Sequence, residues 1–227
     1  MGEYFDWVNI DKKEYLCPAD FDLGSKRFES MQAENALLRA LRELLSQSWA
    51  GDRLIFLGDE CLGTEYSVSN TALDIIIADA HEYEDGYLYD GIYERYRNVS
   101  ALFAAAENDV RRDIGYYLED VQNGSADAIN EYGIDISDPY RGLFVRQGAS
   151  YVYTLDHTKR CAYSLAQTKV LYSDGTAAKN TDPLPWLMGY GRSLDPGIWL
   201  GDAVGVSDVL PQGYELLREI QLDWCIR

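Results

Sequence analysis

The feature that most constrains this chain is a four-residue corner that occurs twice. Trp49-Ala50-Gly51-Asp52 and Trp199-Leu200-Gly201-Asp202 each lead into a short run that ends at a second Asp, Asp59 in the first copy and Asp208 in the second. Glycine supplies the backbone freedom for a tight corner, and an Asp side chain bonds back to nearby amides. The run Leu54 to Leu57 is apolar on both faces, the pattern of a buried strand.

A second echo lies upstream of each corner. Phe5 to Leu16 aligns with Val152 to Tyr163, so that Asn9 matches Asp156, Lys12 matches Lys159 and Lys13 matches Arg160. Each segment reads as a hairpin, two aromatic and β-branched runs around a polar turn opened by Asn or Asp. Two motifs in the same order at similar spacing predict an internal duplication. The expected fold class is therefore α+β, with duplicated hairpin and Trp-x-Gly-Asp strand units forming one sheet system. Residues 1–60 make the first unit, 61–140 an acidic, mainly helical insertion, and 141–227 the second unit. With no low-complexity linker between them, the whole of 1–227 is read as a single compact unit.

The pattern Val-Asn-x-x-Lys-Lys-Glu-Tyr at Val8 to Tyr15, followed by the Trp49 corner, resembles a recurring group of microbial proteins. Leu187 to Arg192, ahead of Trp199, is similar to the Gly-rich segment of that group. The resemblance covers roughly the first 60 residues and the region from 151 to 208. It implies a repeat unit and carries no mechanism.

Charge is the most informative part of the composition. Of a net charge of −18, residues 61–140 hold 4 basic and 17 acidic side chains, while residues 141–227 hold 9 of each. So acidic a chain is a poor partner for nucleic acid, because phosphate binding depends on net positive faces. With 47% hydrophobic residues the chain is no disordered tail. No run approaches the ~18 apolar residues of a membrane span, and nothing resembles a signal peptide. The expected location is the cytoplasm.

Helices are predicted from Ser30 through the stripe Leu37, Leu38, Leu41, Leu44 and Leu45, and from Ser100 to about Gln122. Ala72 to Ala80 fits helix or strand, and a short helix is expected over Ala126 to Tyr132. Leu143 to Arg146 and Lys169 to Tyr172 read as strands, and Tyr214 to Ile220 as helix or strand. In the second unit Gly189 and Gly191 stand where the first has its Leu stripe, so its helix should be short or lost.

Candidate chemistry is sparse. Cys17, Cys61, Cys161 and Cys225 form no Cys-x-x-Cys pair and have no His at zinc-ligand spacing, so no metal site is predicted. Gly189-x-Gly191 lacks the third Gly and the Lys-Ser/Thr ending of a phosphate loop, and no cofactor is expected. His81 and His157 are the two histidines. His157 with nearby carboxylates supports only an alternative reading, a small α+β enzyme of unspecified reaction. Asp52 and Asp202 are read as turn caps. The stronger functional reading is an acidic protein-binding module for a basic, nucleic-acid-handling partner, such as an inhibitor, an immunity protein or a phage counter-defence protein. Its expected binding residues are Glu82, Tyr83, Glu84, Asp85, Tyr87, Tyr89, Asp90, Tyr93, Glu94 and Tyr96, with tyrosines as anchors and carboxylates steering the encounter.

Overall fold

The computed structural model describes residues 2–62, 69–80, 87–124, 132–135, 137–192 and 195–223. Strands β1 (Phe5–Asn9) and β2 (Glu14–Leu16) form the first hairpin. Helix α1 (Ala36–Leu45) follows, and β3 (Leu54–Gly58) returns beside β1. The middle segment holds α2 (Thr71–Ala80), α3 (Leu88–Arg95), the two-residue β4 (Arg97–Asn98) and α4 (Glu107–Gln122). The last third opens on the hairpin β5 (Tyr153–Asp156) and β6 (Cys161–Tyr163). It continues through β7 (Lys169–Tyr172), the one-turn α5 (Leu184–Leu187), β8 (Gly189–Tyr190), β9 (Val204–Ser207), β10 (Glu215–Leu216) and β11 (Glu219–Leu222).

This is an α+β fold, and the duplication is visible in its strand registers. Asn9 lies opposite Glu14 on one side and Leu54 on the other, as Asp156 lies opposite Cys161 and Val204. Each hairpin turns through a left-handed residue at the same place, Lys13 and Arg160, both at φ 53°. Each unit is closed by a short parallel edge strand, β4 on β2 and β10 on β6. The units form two sheets where the sequence suggested one sheet system: a five-stranded sheet, β4-β2-β1-β3-β8, and a four-stranded one, β10-β6-β5-β9.

The sheets meet at the corners. The amide of Gly51 donates to the Val204 carbonyl (2.9 Å), and the amide of Gly201 donates to the Leu54 carbonyl (3.0 Å). Leu54 N–H donates to Asp202 O and Val204 N–H to Asp52 O, so the exchange is reciprocal about an approximate two-fold axis. Strand β8, from the second unit, also completes the first sheet beside β3.

The five-stranded sheet is covered on both faces, which explains why β3 is apolar throughout. Phe5, Trp7, Leu16, Leu54 and Phe56 join the core that contains α1 and the inner face of α4. Val8, Ile10, Tyr15, Ile55 and Leu57 join a second core under α2 and α3. Burying a large apolar side chain contributes about 1.5–3 kcal/mol, so these layers outweigh intrinsic propensities. That settles Ala72 to Ala80 as helix α2: Ala72, Leu73, Ile76 and Ala80 sit on one face against the sheet.

Helix starts differ from the sequence expectation. Asn35, and not Ser30, caps α1, its Oδ1 accepting from Leu38 N–H at 2.8 Å. Glu34, left-handed at φ 60°, keeps the preceding residues out of the helix. Ser100 does not cap α4 either. Two 3-10 turns, Ser100–Leu102 and Ala104–Ala106, precede the helix, and Ser100 Oγ accepts from the Cys17 amide instead. Leu143 to Arg146 makes no strand beyond a single bridge between Arg146 and Phe103, because Phe144 is itself left-handed. Tyr214 to Ile220 resolves as strand, in β10 and β11. The expected helix from Ala126 falls almost wholly outside the described residues. In the second unit the helix is reduced to α5, as its glycines suggested.

Candidate functional site

Each Gly-Asp corner is tied to its own hairpin turn. In the first unit Asn9 Nδ2 donates to Asp52 Oδ2 (2.9 Å), Asn9 Oδ1 accepts from Lys12 N–H, and the Lys12 ammonium stands 3.7 Å from Asp52. In the second, Asp156 Oδ1 accepts from Lys159 N–H at the same place, and the Lys159 ammonium binds Asp202. Asp52 and Asp202 are therefore structural ties. Trp49 and Trp199 are buried to the same degree beside them, and Trp49 Nε1 donates to Glu14 Oε2.

One difference between the copies matters. Asp156 stands where the first unit has an amide, and its buried Oδ2 has no hydrogen-bond donor. Burial raises its pKa above the ordinary carboxylate value, and the neighbouring Asp202 carboxylate raises it further, against the Lys159 amide and ammonium.

The acidic segment does not form one face. α4 packs on the α1 side of the five-stranded sheet, α2 and α3 on the other. Of the expected binding residues, Tyr87, Asp90, Tyr93 and Glu94 are exposed along α3 and its entry. Tyr89 and Tyr96 are core residues and supply no anchor: Tyr89 falls on the buried face of α3, and Tyr96, just past its end, gives its hydroxyl to Asp79 of α2. Glu82, Tyr83, Glu84 and Asp85 lie outside the described residues. Tyr93 is half committed: its ring edge is exposed while its hydroxyl donates to Asp6 Oδ2 at 3.0 Å.

Asp6 is a group the sequence reading missed. It sits on β1 beneath α3, and burial pushes its pKa up to about 7, against hydrogen bonds from the Tyr93 and Tyr89 side. Its strand period points it at the helical layer, but nothing in the sequence marks which helix covers that face. A second buried network joins the units. Arg42 on α1 contacts Asp182 and Glu34, and Asp182 also accepts from the Tyr163 hydroxyl and the Leu184 amide. Both Arg42 and Asp182 are almost fully buried, so the pair is a tie whose cost of breaking is high.

The side chain of His157 meets Tyr214 and Gly205. Its Nδ1 is 2.6 Å from the Tyr214 hydroxyl, its Nε2 lies over the Cβ-less Gly205, and burial lowers its pKa. Among the described residues, no three His, Cys, Asp or Glu side chains are grouped to hold a metal ion. Burial pushes the thiols of Cys17, Cys61 and Cys161 upward, which makes them poor nucleophiles. Among the described residues no helix is long and apolar enough to cross a membrane.

Comparisons with known protein families, with curated proteins and with solved structures give no match.

Proposed function

We propose that the protein is an acidic binding module whose α2–α3 layer docks a basic protein, of the class that handles nucleic acid. The observation that carries this reading is the charge of that layer: its described residues, 71–80 and 87–96, hold 4 acidic side chains and 1 basic one. The layer lies outermost on a sheet whose other face is already covered, so its acids are not needed to close the core. Tyr87 and Tyr93 are 45% and 41% exposed on the same surface and offer flat, half-polar contact area. Carboxylates around them would raise the encounter rate with a cationic partner and fix its register. A direct nucleic-acid partner is disfavoured by the same charge.

The test is capture of partners from the native host, followed by binding measurements on the recovered partner. Asp90→Lys with Glu94→Lys should slow association at least tenfold, with a weaker salt dependence than the parent, while leaving the melting temperature close to unchanged. Tyr87→Ala should act mainly on the dissociation rate. An unchanged association rate in the double reversal would mean that the acids only keep the chain soluble.

A further inference from the structure

Asp6 is a buried acid without a base. It points from β1 into the layer under α3 and is 1% exposed. From α3 the Tyr93 hydroxyl donates to its Oδ2 at 3.0 Å. The Tyr89 hydroxyl lies on the same side, close enough to bear on Asp6 but without an aligned hydrogen bond of its own. From the chain just after β2 come the Cys17 thiol and the Asp20 carboxylate. Asp20 is itself buried, accepting from Asn98 Nδ2 (2.9 Å) and from the Tyr132 hydroxyl (3.3 Å). Leu57, opposite Asp6 on β3, is apolar. On α2, Asp79 is engaged by the Lys13 ammonium and the Tyr96 hydroxyl, so neither it nor Lys13 serves Asp6. Among the described residues no Lys, Arg or His forms an ion pair with Asp6.

A carboxylate taken out of water with no counter-charge is costly, and such a group keeps its proton instead. Burial accordingly holds the Asp6 pKa up at about 7, with Asp20 adding to the rise and the Tyr93, Tyr89 and Cys17 hydrogen bonds opposing it. Burial and the same two carboxylates keep the Cys17 thiol protonated, so it offers no charge either.

The cover over Asp6 is slight. α3 has eight residues and buries Leu88, Tyr89, Gly91 and Ile92. A Cβ on Gly91 would fall 2.8 Å from Ala80 Cα, so the helix rests directly on α2. The Tyr93 ring leans on Tyr15 of β2 (5.3 Å) and on Tyr89 (4.9 Å), while 41% of the residue reaches solvent. Short elements with few buried side chains are those that open locally before the whole fold does. Lifting α3 hydrates Asp6 and returns it to the ordinary carboxylate range, near 3.9.

We propose that Asp6 is a pH-sensitive latch for α3: neutral, it holds the helix on the sheet through Tyr93, and ionised, it favours the state in which the helix lifts and water reaches the carboxylate. The lifted state gives up the proton near pH ~4 and the seated state only near 7, so the seated state binds more protons between these values. The opening equilibrium therefore grows about tenfold per pH unit from ~4 to ~7 and levels off above. Acidification from neutrality closes the latch. Asp90, Tyr93 and Glu94 ride on this helix, and the bearing of the latch on docking rests on the reading proposed above; the latch itself belongs to the free chain.

Hydrogen exchange of the free, full-length chain tests the proposal, corrected for the intrinsic pH dependence of amide exchange and under conditions where it reports the opening equilibrium. Amides of α3 should be about a hundredfold better protected at pH 5 than at pH 7 and change little from pH 7 to 8. Asp6→Asn keeps an oxygen for Tyr93 and cannot ionise, so its α3 should be equally protected at pH 5 and 7. Tyr93→Phe leaves the acid but removes a bond that favours its charged form, so the plateau should move to higher pH. Equal protection of α3 at pH 5 and 7 in the parent, an undiminished pH effect in Asp6→Asn, or an unmoved plateau in Tyr93→Phe would overturn the latch. So would a parallel change at the β5 amides, which would mean that the whole chain opens. These measurements need no partner, so their failure is distinct from failure of the docking reading.

Discussion

Asp156 and Asn9 occupy the same place in the two hairpins and differ in whether the side chain can donate. Asn9 donates to Asp52, whereas Asp156 presents a bare oxygen on the side of Asp202. Because burial raises the Asp156 pKa, the folded chain keeps a proton there that the unfolded chain has already released. The native state then binds more protons than the unfolded one, so stability is greatest below the ordinary carboxylate range and falls as pH rises through the raised value. Asp6, pushed to about 7, acts in the same direction over pH ~4 to ~7. Asp156→Asn should restore the bond of the first unit and stabilise the protein by about 1 kcal/mol at pH 8. The gain should shrink toward pH 4, where Asp156 itself carries the proton. Thermal melts of parent and variant at both pH values check this; an equal shift at the two would exclude titration of Asp156 as the cause.

At the scale of elements, the two corners are alike in backbone and unlike in surroundings. Gly51 (φ 77°) would place a Cβ in open space, whereas a Cβ on Gly201 (φ 71°) would fall 2.6 Å from Ala72 Cβ and 2.8 Å from Asn70 Oδ1. Gly51→Ala should therefore cost only the left-handed backbone term, about 1–2 kcal/mol. Gly201→Ala should cost more, because helix α2 must shift away from the corner and Asn70 must release its bond to the Leu200 carbonyl. Urea unfolding of the two variants gives the comparison, and equal losses would mean that α2 yields without cost. The helix ends teach a related lesson. Asn35 and Ser30 are both good capping residues, and the choice between them was made by the left-handed Glu34. Ser100 was drawn away from α4 by the Cys17 amide, a contact across 83 residues of chain.

For the molecule as a whole, the reciprocal bonds between Gly51, Leu54, Gly201 and Val204 make each unit part of the other's sheet edge. Strand β8 and the buried Arg42–Asp182 pair add to this join. Neither unit should open alone. Native-state hydrogen exchange of these four amides should proceed through the same global opening, with one free energy and one denaturant dependence. Earlier exchange at Gly201 and Val204 than at Gly51 and Leu54 would show the second unit unfolding by itself.

The sequence by itself determined the α+β class, the duplication, the two hairpins, the buried corners and the uneven charge. Each of these is a local pattern: an alternating run, a turn residue or a repeated spacing records its own consequence within a dozen residues. It did not determine that Tyr89 and Tyr96 belong to the core, that Asp6 is buried under α3, or that the acidic segment divides across a sheet. Nor did it reveal that β4 and β10 are equivalent, since edge strands two residues long leave no periodicity to read. Those outcomes rest on which face of a helix meets which face of a sheet, and on pairings such as that of Lys169 with Glu219. Only the tertiary structure decided them, because burial and charge are set by neighbours far away in the chain.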